Sequence, residues 1–147
     1  MFVPRMLLVA LIGATVPVAA SAAPAPTIVT PQTAKWQAGT GAFSGVQIAP
    51  IVGDPSASGG YYAYLIKVPD GYQVPPHFHG MTENVSVLSG TLMIGLGDTL
   101  NTGTMIPLEA GSVASVPAGL HHYAMAKGPT IIEVSGIGPD TLTPVAK

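Results

Sequence analysis

An all-β domain, folded as a sandwich or small barrel, is the architecture this sequence predicts, and three observations lead there. The 18 glycines and 15 prolines are spread along the chain and cut it into short segments instead of forming one low-complexity tract. The segments between them are rich in β-branched and aromatic residues, which suit a pleated, half-buried surface. No window carries the apolar spacing of a long amphipathic helix. At 147 residues the chain is at most one ordinary domain. With 48% hydrophobic and 8% charged residues it can bury a true core and is too apolar to be disordered.

The first 22 residues are set apart from that domain. Met1 to Arg5 carries a positive charge, Met6 to Ala20 is apolar, and Ala20-Ser21-Ala22 supplies the small residues a signal peptidase needs. The apolar run is short for a membrane span and Pro17 interrupts it, so a cleaved signal peptide (1–22) is expected, with export to the periplasm or exterior. There is no cysteine, so in an oxidising compartment the fold rests on its core and not on disulfides. Cleavage removes Arg5 and leaves four lysines against seven acids. That balance gives no basic patch for nucleic acid or an anionic membrane.

The mature chain starts with an Ala-, Pro- and Thr-rich stretch, read as an extended linker over 23–35. The barrel is placed at 36–143 and begins with Trp36, the single tryptophan, whose expected role is to plug the core. Val46 to Val52 predicts a strand, at an edge because Pro50 cannot donate to a ladder. Tyr61 to Val68 predicts another, with Tyr62, Tyr64, Ile66 and Val68 in one phase, closed by the turn Pro69-Asp70-Gly71. Short strands are also expected at Asn84 to Leu88, Thr91 to Leu96, Ser112 to Val116, Tyr123 to Ala126 and Thr130 to Ser135.

All four histidines fall in two stretches, His77 and His79 in Gly71 to Gly90, and His121 and His122 at the end of Gly111 to His122. On a strand, His77 and His79 share one face while Phe78 takes the other. Gly80 permits a bend into the next strand, where Glu83 opens an alternation with Val85 and Val87. If Glu83 points inward with those valines it returns to the two imidazoles, and His122 can add a fourth ligand from a neighbouring strand.

Those residues resemble a known family. Gly71, five residues, His77-x-His79, three residues, Glu83, six residues and Gly90 is similar to the first signature motif of the cupin superfamily. Gly111, five residues, Pro117-x-Gly119, two residues and His122 resembles the second. The resemblance implies a double-stranded β-helix, the jelly-roll barrel, with His77, His79, Glu83 and His122 as ligands of one divalent transition metal. It also implies turn positions at Gly71, Gly90, Gly111 and Gly119 and a bend at Pro117. The chain departs from the pattern at Ala126, where many cupins carry Asn, and this bears on substrate orientation more than on the metal.

Metal identity is open among Zn, Fe, Mn, Cu and Ni, with Zn and Cu favoured wherever metals compete freely. Val85, Val87, Ala124 and Ala126 are the expected inward lining, and Tyr62 and Tyr64 fit either the pocket wall or plain aromatic packing. Such a lining has no separate acid–base pair of the kind isomerisation needs. It suits an oxygenase-type enzyme acting on a small apolar or aromatic substrate, or a non-catalytic cupin that binds or senses a metal or small ligand. His121 is expected to be solvated or to stand behind the ligands, Glu109 is expected to be solvated, and Glu133 is open between inward and edge-facing. Family tendency, with Phe78, Leu88 and Met125 in the outward phase, suggests a homodimer.

Overall fold

The computed structural model describes residues 23–30 and 32–146, so the expected signal peptide at 1–22 lies outside the described residues. Nine strands follow one another: β1 (Gln37–Ala38), β2 (Gln47–Val52), β3 (Tyr61–Val68), β4 (Gln73–His79), β5 (Glu83–Leu96), β6 (Ile106–Glu109), β7 (Val113–Val116), β8 (His122–Ile137) and β9 (Leu142–Pro144). Two single 3-10 turns, Gly41–Phe43 and Thr102–Thr104, are the helical segments among the described residues.

Two long strands, β5 and β8, run antiparallel to each other and are shared by two facing sheets. The first half of β5 pairs with the second half of β8, in the order β1-β2-β3-β8-β5-β7. The second half of β5 pairs with the first half of β8, in the order β9-β4-β8-β5-β6. All pairs are antiparallel, and the two sheets close on one core of Tyr62, Tyr64, Val85, Val87, Ile132 and Val134 facing Leu92, Ala124 and Ala126. This is the double-stranded β-helix.

The expected breaks within β5 and β8 are bends. The register slips on either side of Ser89, and Gly90, expected in a turn, sits within β5 with φ of 78°. Gly128 gives β8 its matching corner with φ of 80°. Thr130, buried between them, accepts from the Thr91 amide and donates to the Thr91 and Gly128 carbonyls, which locks the two corners together. A glycine read along one chain looks like a terminator, whereas across a sheet it permits the bulge that carries a strand around a corner.

The strand β6 was not expected, because its Pro107 and the exposed Ile106 and Glu109 carry no half-buried alternation. Pro50 does lie on an open edge, since β1 covers only Gln47 and Ile48 of its neighbour. Trp36 is half-buried and is not the core plug expected of it. It lies on the outer side of the sheet, with the Lys67 ammonium 4.0 Å from its ring centroid, because Lys67 alternates with the inward Ile66 and Val68. Met125, expected to face outward, is half-buried and borders the interior cavity.

Candidate metal centre

Alternation along β4 puts His77 and His79 inward and Phe78 outward, where it stacks on the His121 ring at 5.0 Å. His122 is the first residue of β8 and pairs directly with His77 across the ladder. The loop before it is held by the Gly119 amide donating to the His79 carbonyl at 2.9 Å and by the turn from Pro117 to Leu120. The three rings are 5%, 4% and 3% exposed, and one nitrogen from each lies within 4.8 Å of the others. Glu83 opens β5 in phase with Val85 and Val87 and arrives from the facing sheet. Its carboxylate stands 3.5 Å from Nε2 of His79 and 3.6 Å from Nε2 of His122. The four residues anticipated as ligands are therefore together.

Hydrogen bonding decides which nitrogen each ring offers. Nδ1 of His77 donates to the Pro75 carbonyl at 2.8 Å, and Nδ1 of His122 donates to the Leu120 carbonyl at 3.0 Å. A carbonyl only accepts, so both neutral rings carry their proton on Nδ1 and turn a bare Nε2 inward. His79 differs in its partner, the carboxylate of Asp140 at 3.2 Å, and its Nε2 is buried without a hydrogen-bond partner. A buried polar nitrogen left in this way calls for an explanation. Three convergent imidazole nitrogens beside a carboxylate are a donor set that suits a divalent transition metal.

Asp140 was not among the expected residues. It lies 61 residues from His79 in the segment after β8, where its amide donates to the Pro55 carbonyl and its carboxylate accepts from the Tyr64 hydroxyl at 2.7 Å. Burial and the Asp140 charge push the Tyr62 and Tyr64 hydroxyls well above the ordinary tyrosine value, so both remain proton donors. The two tyrosine rings stack at 5.8 Å behind His79 and do not line the cavity, which settles the alternatives left open for them.

The cavity in front of the cluster has a volume of about 70 Å³ and apolar walls from both sheets, among them Ile66, Val68, Leu92 and Ala126. Val85 and Ala124 line it as expected, whereas Val87 is buried in the core without reaching it. Among the described residues Glu83 is the one carboxylate in its wall. Phe43, from the first 3-10 turn, and Tyr72 close one side, and the Tyr72 hydroxyl donates to the Ser44 carbonyl at 2.9 Å. Phe43 was missed because its neighbourhood reads as a glycine-rich loop without alternation.

The remaining polar candidates fall outside. Nδ1 of His121 pairs with Asp98 at 2.6 Å on the surface. Glu109 is exposed, and Glu133 shares the outward phase of Ile131 and Ser135 opposite Leu65.

Burial holds the His77 pKa down at about 4, helped by His122 and His79 and opposed by the Pro75 hydrogen bond and the Glu83 charge. For His79, burial also works downward, but the Asp140 hydrogen bond and the charges of Glu83 and Asp140 outweigh it and raise the value. The native state thus holds a proton on His77 less tightly than the unfolded chain does. In metal-free protein the stability this gives is complete above 6.5 and is lost as pH falls towards 4. His79 has the opposite sign, adding stability at low pH that fades as pH rises through its folded value. Denaturant titrations of metal-free wild type and His77→Gln across that window isolate His77. Wild type should lose roughly 2–3 kcal/mol more than the variant.

A cupin-domain family model matches residues 64–135, which span both motifs. No curated protein sequence matches the chain significantly. Solved structures with this fold include an RmlC-like cupin from Shewanella frigidimarina, 15% identical with a TM-score of 0.57, over 84% of this chain and 95% of that one. The polyketide cyclase RemF from Streptomyces resistomycificus is 19% identical with a TM-score of 0.61, covering 82% and 85%. KdgF from Halomonas sp. is 20% identical with a TM-score of 0.56, covering 74% and 93%. At these identities the likeness concerns the fold, and with the matched family model it makes the chain a small cupin-domain protein.

Proposed function

We propose that the barrel binds one divalent transition metal through His77, His79, His122 and Glu83, all four of which line the apolar cavity. The observation that carries this reading is the orientation of the rings: each Nδ1 is committed to an oxygen acceptor, and all three imidazoles turn Nε2 towards one point beside the Glu83 carboxylate. Elemental analysis of the mature protein, purified from its native compartment, tests it directly. Stoichiometric metal is expected in wild type and none in the His77→Ala, His79→Ala double variant. Wild type without metal, or a double variant that keeps it, would overturn the assignment.

A metal in this position supplies Lewis acidity or redox chemistry to a ligand that reaches it. The protein's own residues hold the apolar part of that ligand, since the walls are aliphatic apart from Phe43 and Tyr72, and Ala126 offers no hydrogen bond. Among the described residues the cavity wall holds, besides the four proposed ligands, one titratable side chain, Tyr72, whose hydroxyl is committed to the Ser44 carbonyl; this weighs against isomerisation and fits oxygen-dependent turnover of a small apolar or aromatic substrate. The largely apolar lining also favours a second reading, retention of a small ligand without turnover. Oxygen uptake by the metal-loaded protein against small phenolic and keto compounds separates the two.

Size narrows the ligand. A cavity of about 70 Å³ is under half of the roughly 150 Å³ that holds benzene in an engineered apolar core. An aromatic ring therefore enters only if Phe43 gives way. Phe43→Ala should cost roughly 1–3 kcal/mol, less than a fully buried phenylalanine because the ring is half-buried. The same variant should gain a thermal shift with phenol that wild type lacks. Equal responses of the two proteins would show that Phe43 does not limit access.

We also propose that the chain is exported and acts outside the cytoplasm. Support comes from the basic, apolar and small-residue segments of the first 22 residues, and N-terminal sequencing of the mature protein should begin at Ala23.

A further inference from the structure

We infer that Asp140 is a positioning residue of the metal centre, one that sets the protonation pattern of His79 so that Nε2 is free to ligate. The inference rests on the metal-binding reading above and adds a residue to it. His77 and His122 are each oriented by a carbonyl two residues away on their own segment. The segment of His79 supplies no such oxygen to its ring, and the acceptor is Asp140, 61 residues further along, with the Thr141 backbone beside it. Its side chain is only 8% exposed. Burying a carboxylate is costly unless its oxygens are paired. Both are paired here, one with Nδ1 of His79 and the other with the Tyr64 hydroxyl.

The remaining contacts show that this carboxylate is held in place. Tyr64 is buried in the core and stacked on Tyr62, so its hydroxyl is a fixed donor. The Asp140 amide donates to the Pro55 carbonyl at 2.6 Å, and the neighbouring Gly138 amide donates to the Gly60 carbonyl at 2.9 Å, which docks the segment against the loop before β3. The adjoining Thr141 hydroxyl accepts from the Gly80 amide at 3.1 Å, which ties the end of β4 to the same segment. A carboxylate accepts and cannot donate, so Nδ1 of His79 must carry a proton. The neutral ring is then left with its lone pair on Nε2, the atom that is buried, unpartnered and turned towards His122 and Glu83. A carboxylate behind a ligating histidine also raises the basicity of the ring and fixes its plane.

Asp140→Asn and Asp140→Ala test the role, with Asp98→Asn as a control because Asp98 holds the surface His121 instead. The first readout is the tautomer of the His79 ring in metal-free protein, from long-range nitrogen–proton spectra in mildly alkaline buffer. Wild type and Asp98→Asn should show the proton on Nδ1. Asp140→Ala should shift His79 towards the Nε2-protonated form while His77 and His122 keep theirs, whereas Asp140→Asn, whose amide oxygen can still accept as the Pro75 and Leu120 carbonyls do, should keep the proton on Nδ1 and lose only the charge. The second readout is zinc affinity by chelator competition, with an expected loss of about 10- to 100-fold in Asp140→Ala and a smaller loss in Asp140→Asn. A His79 ring that stays protonated on Nδ1 in Asp140→Ala overturns the inference, as does unchanged zinc affinity in that variant. Folding of the variants is checked by circular dichroism, and Asp140→Leu, close in shape and without an acceptor, takes the place of Asp140→Ala if that variant does not fold. Should wild type fail to take up zinc, the metal reading falls, while the tautomer result still decides what Asp140 does.

Discussion

Added zinc is expected to raise the unfolding temperature of the metal-free protein by roughly 15 °C, and to leave the His77→Ala, His79→Ala double variant unmoved. A ligand that binds only the folded state at a thousandfold excess over its dissociation constant stabilises by about 4 kcal/mol. For a domain near this size each kcal/mol moves the midpoint by about 4 °C. The size of the shift follows from how little must be rearranged: three rings 3–5% exposed already face one another with their outer nitrogens tied down. His122→Ala should lose most of the shift as well. His121→Ala should retain it, because that ring is committed to Asp98 on the surface. Differential scanning calorimetry with and without a chelator measures all four proteins. A shift that depends on His121, or one that survives the double substitution, would place the metal elsewhere.

Gly90→Ala is expected to destabilise by roughly 3 kcal/mol, against about 1 kcal/mol for Gly111→Ala. Both glycines have positive φ, 78° and 91°, and a left-handed conformation alone costs an L-residue about 1–2 kcal/mol. What separates them is space. A methyl group on Gly90 would stand 2.5 Å from the Pro129 carbonyl oxygen and 2.6 Å from the Thr130 hydroxyl, whereas one on Gly111 meets nothing within 4 Å. Crowding at Gly90 adds an overpacking cost of about 1–3 kcal/mol, and it falls on the corner where Thr130 joins the two long strands. Urea titration of both variants measures the difference. Equal losses would mean that φ alone sets the value of these glycines.

The two glycines also show why motif spacing and structure carry different information. The alternation of β residues is a local rule, so the shared face of His77 and His79 was legible once the segment was taken as a strand. The inward phase of Glu83 with Val85 and Val87 followed in the same way. The all-β class was legible too, because short β-prone runs with frequent turns admit few alternatives. The continuity of β5 and β8 was not legible. Gly90 and Gly128 end a strand or bend it depending on what lies beside them, and what lies beside Gly90 is Pro129 and Thr130, far along the chain. Strand β6 and the outer seat of Trp36 were hidden for a similar reason, since both depend on which neighbour a weakly patterned segment finds.

By itself the sequence determined a β-rich domain and the identity of the histidines that could meet, because the period of a strand and the chemistry of imidazole are properties of the residues. Only the tertiary structure decided that the rings do converge, which nitrogen each one offers, and how small the space before them is. It also brought in Asp140 and Phe43, one from beyond β8 and the other from ahead of β2. No spacing rule reaches them, because their contacts are made across the gap between two sheets, where distance in space is set by packing and not by separation along the chain.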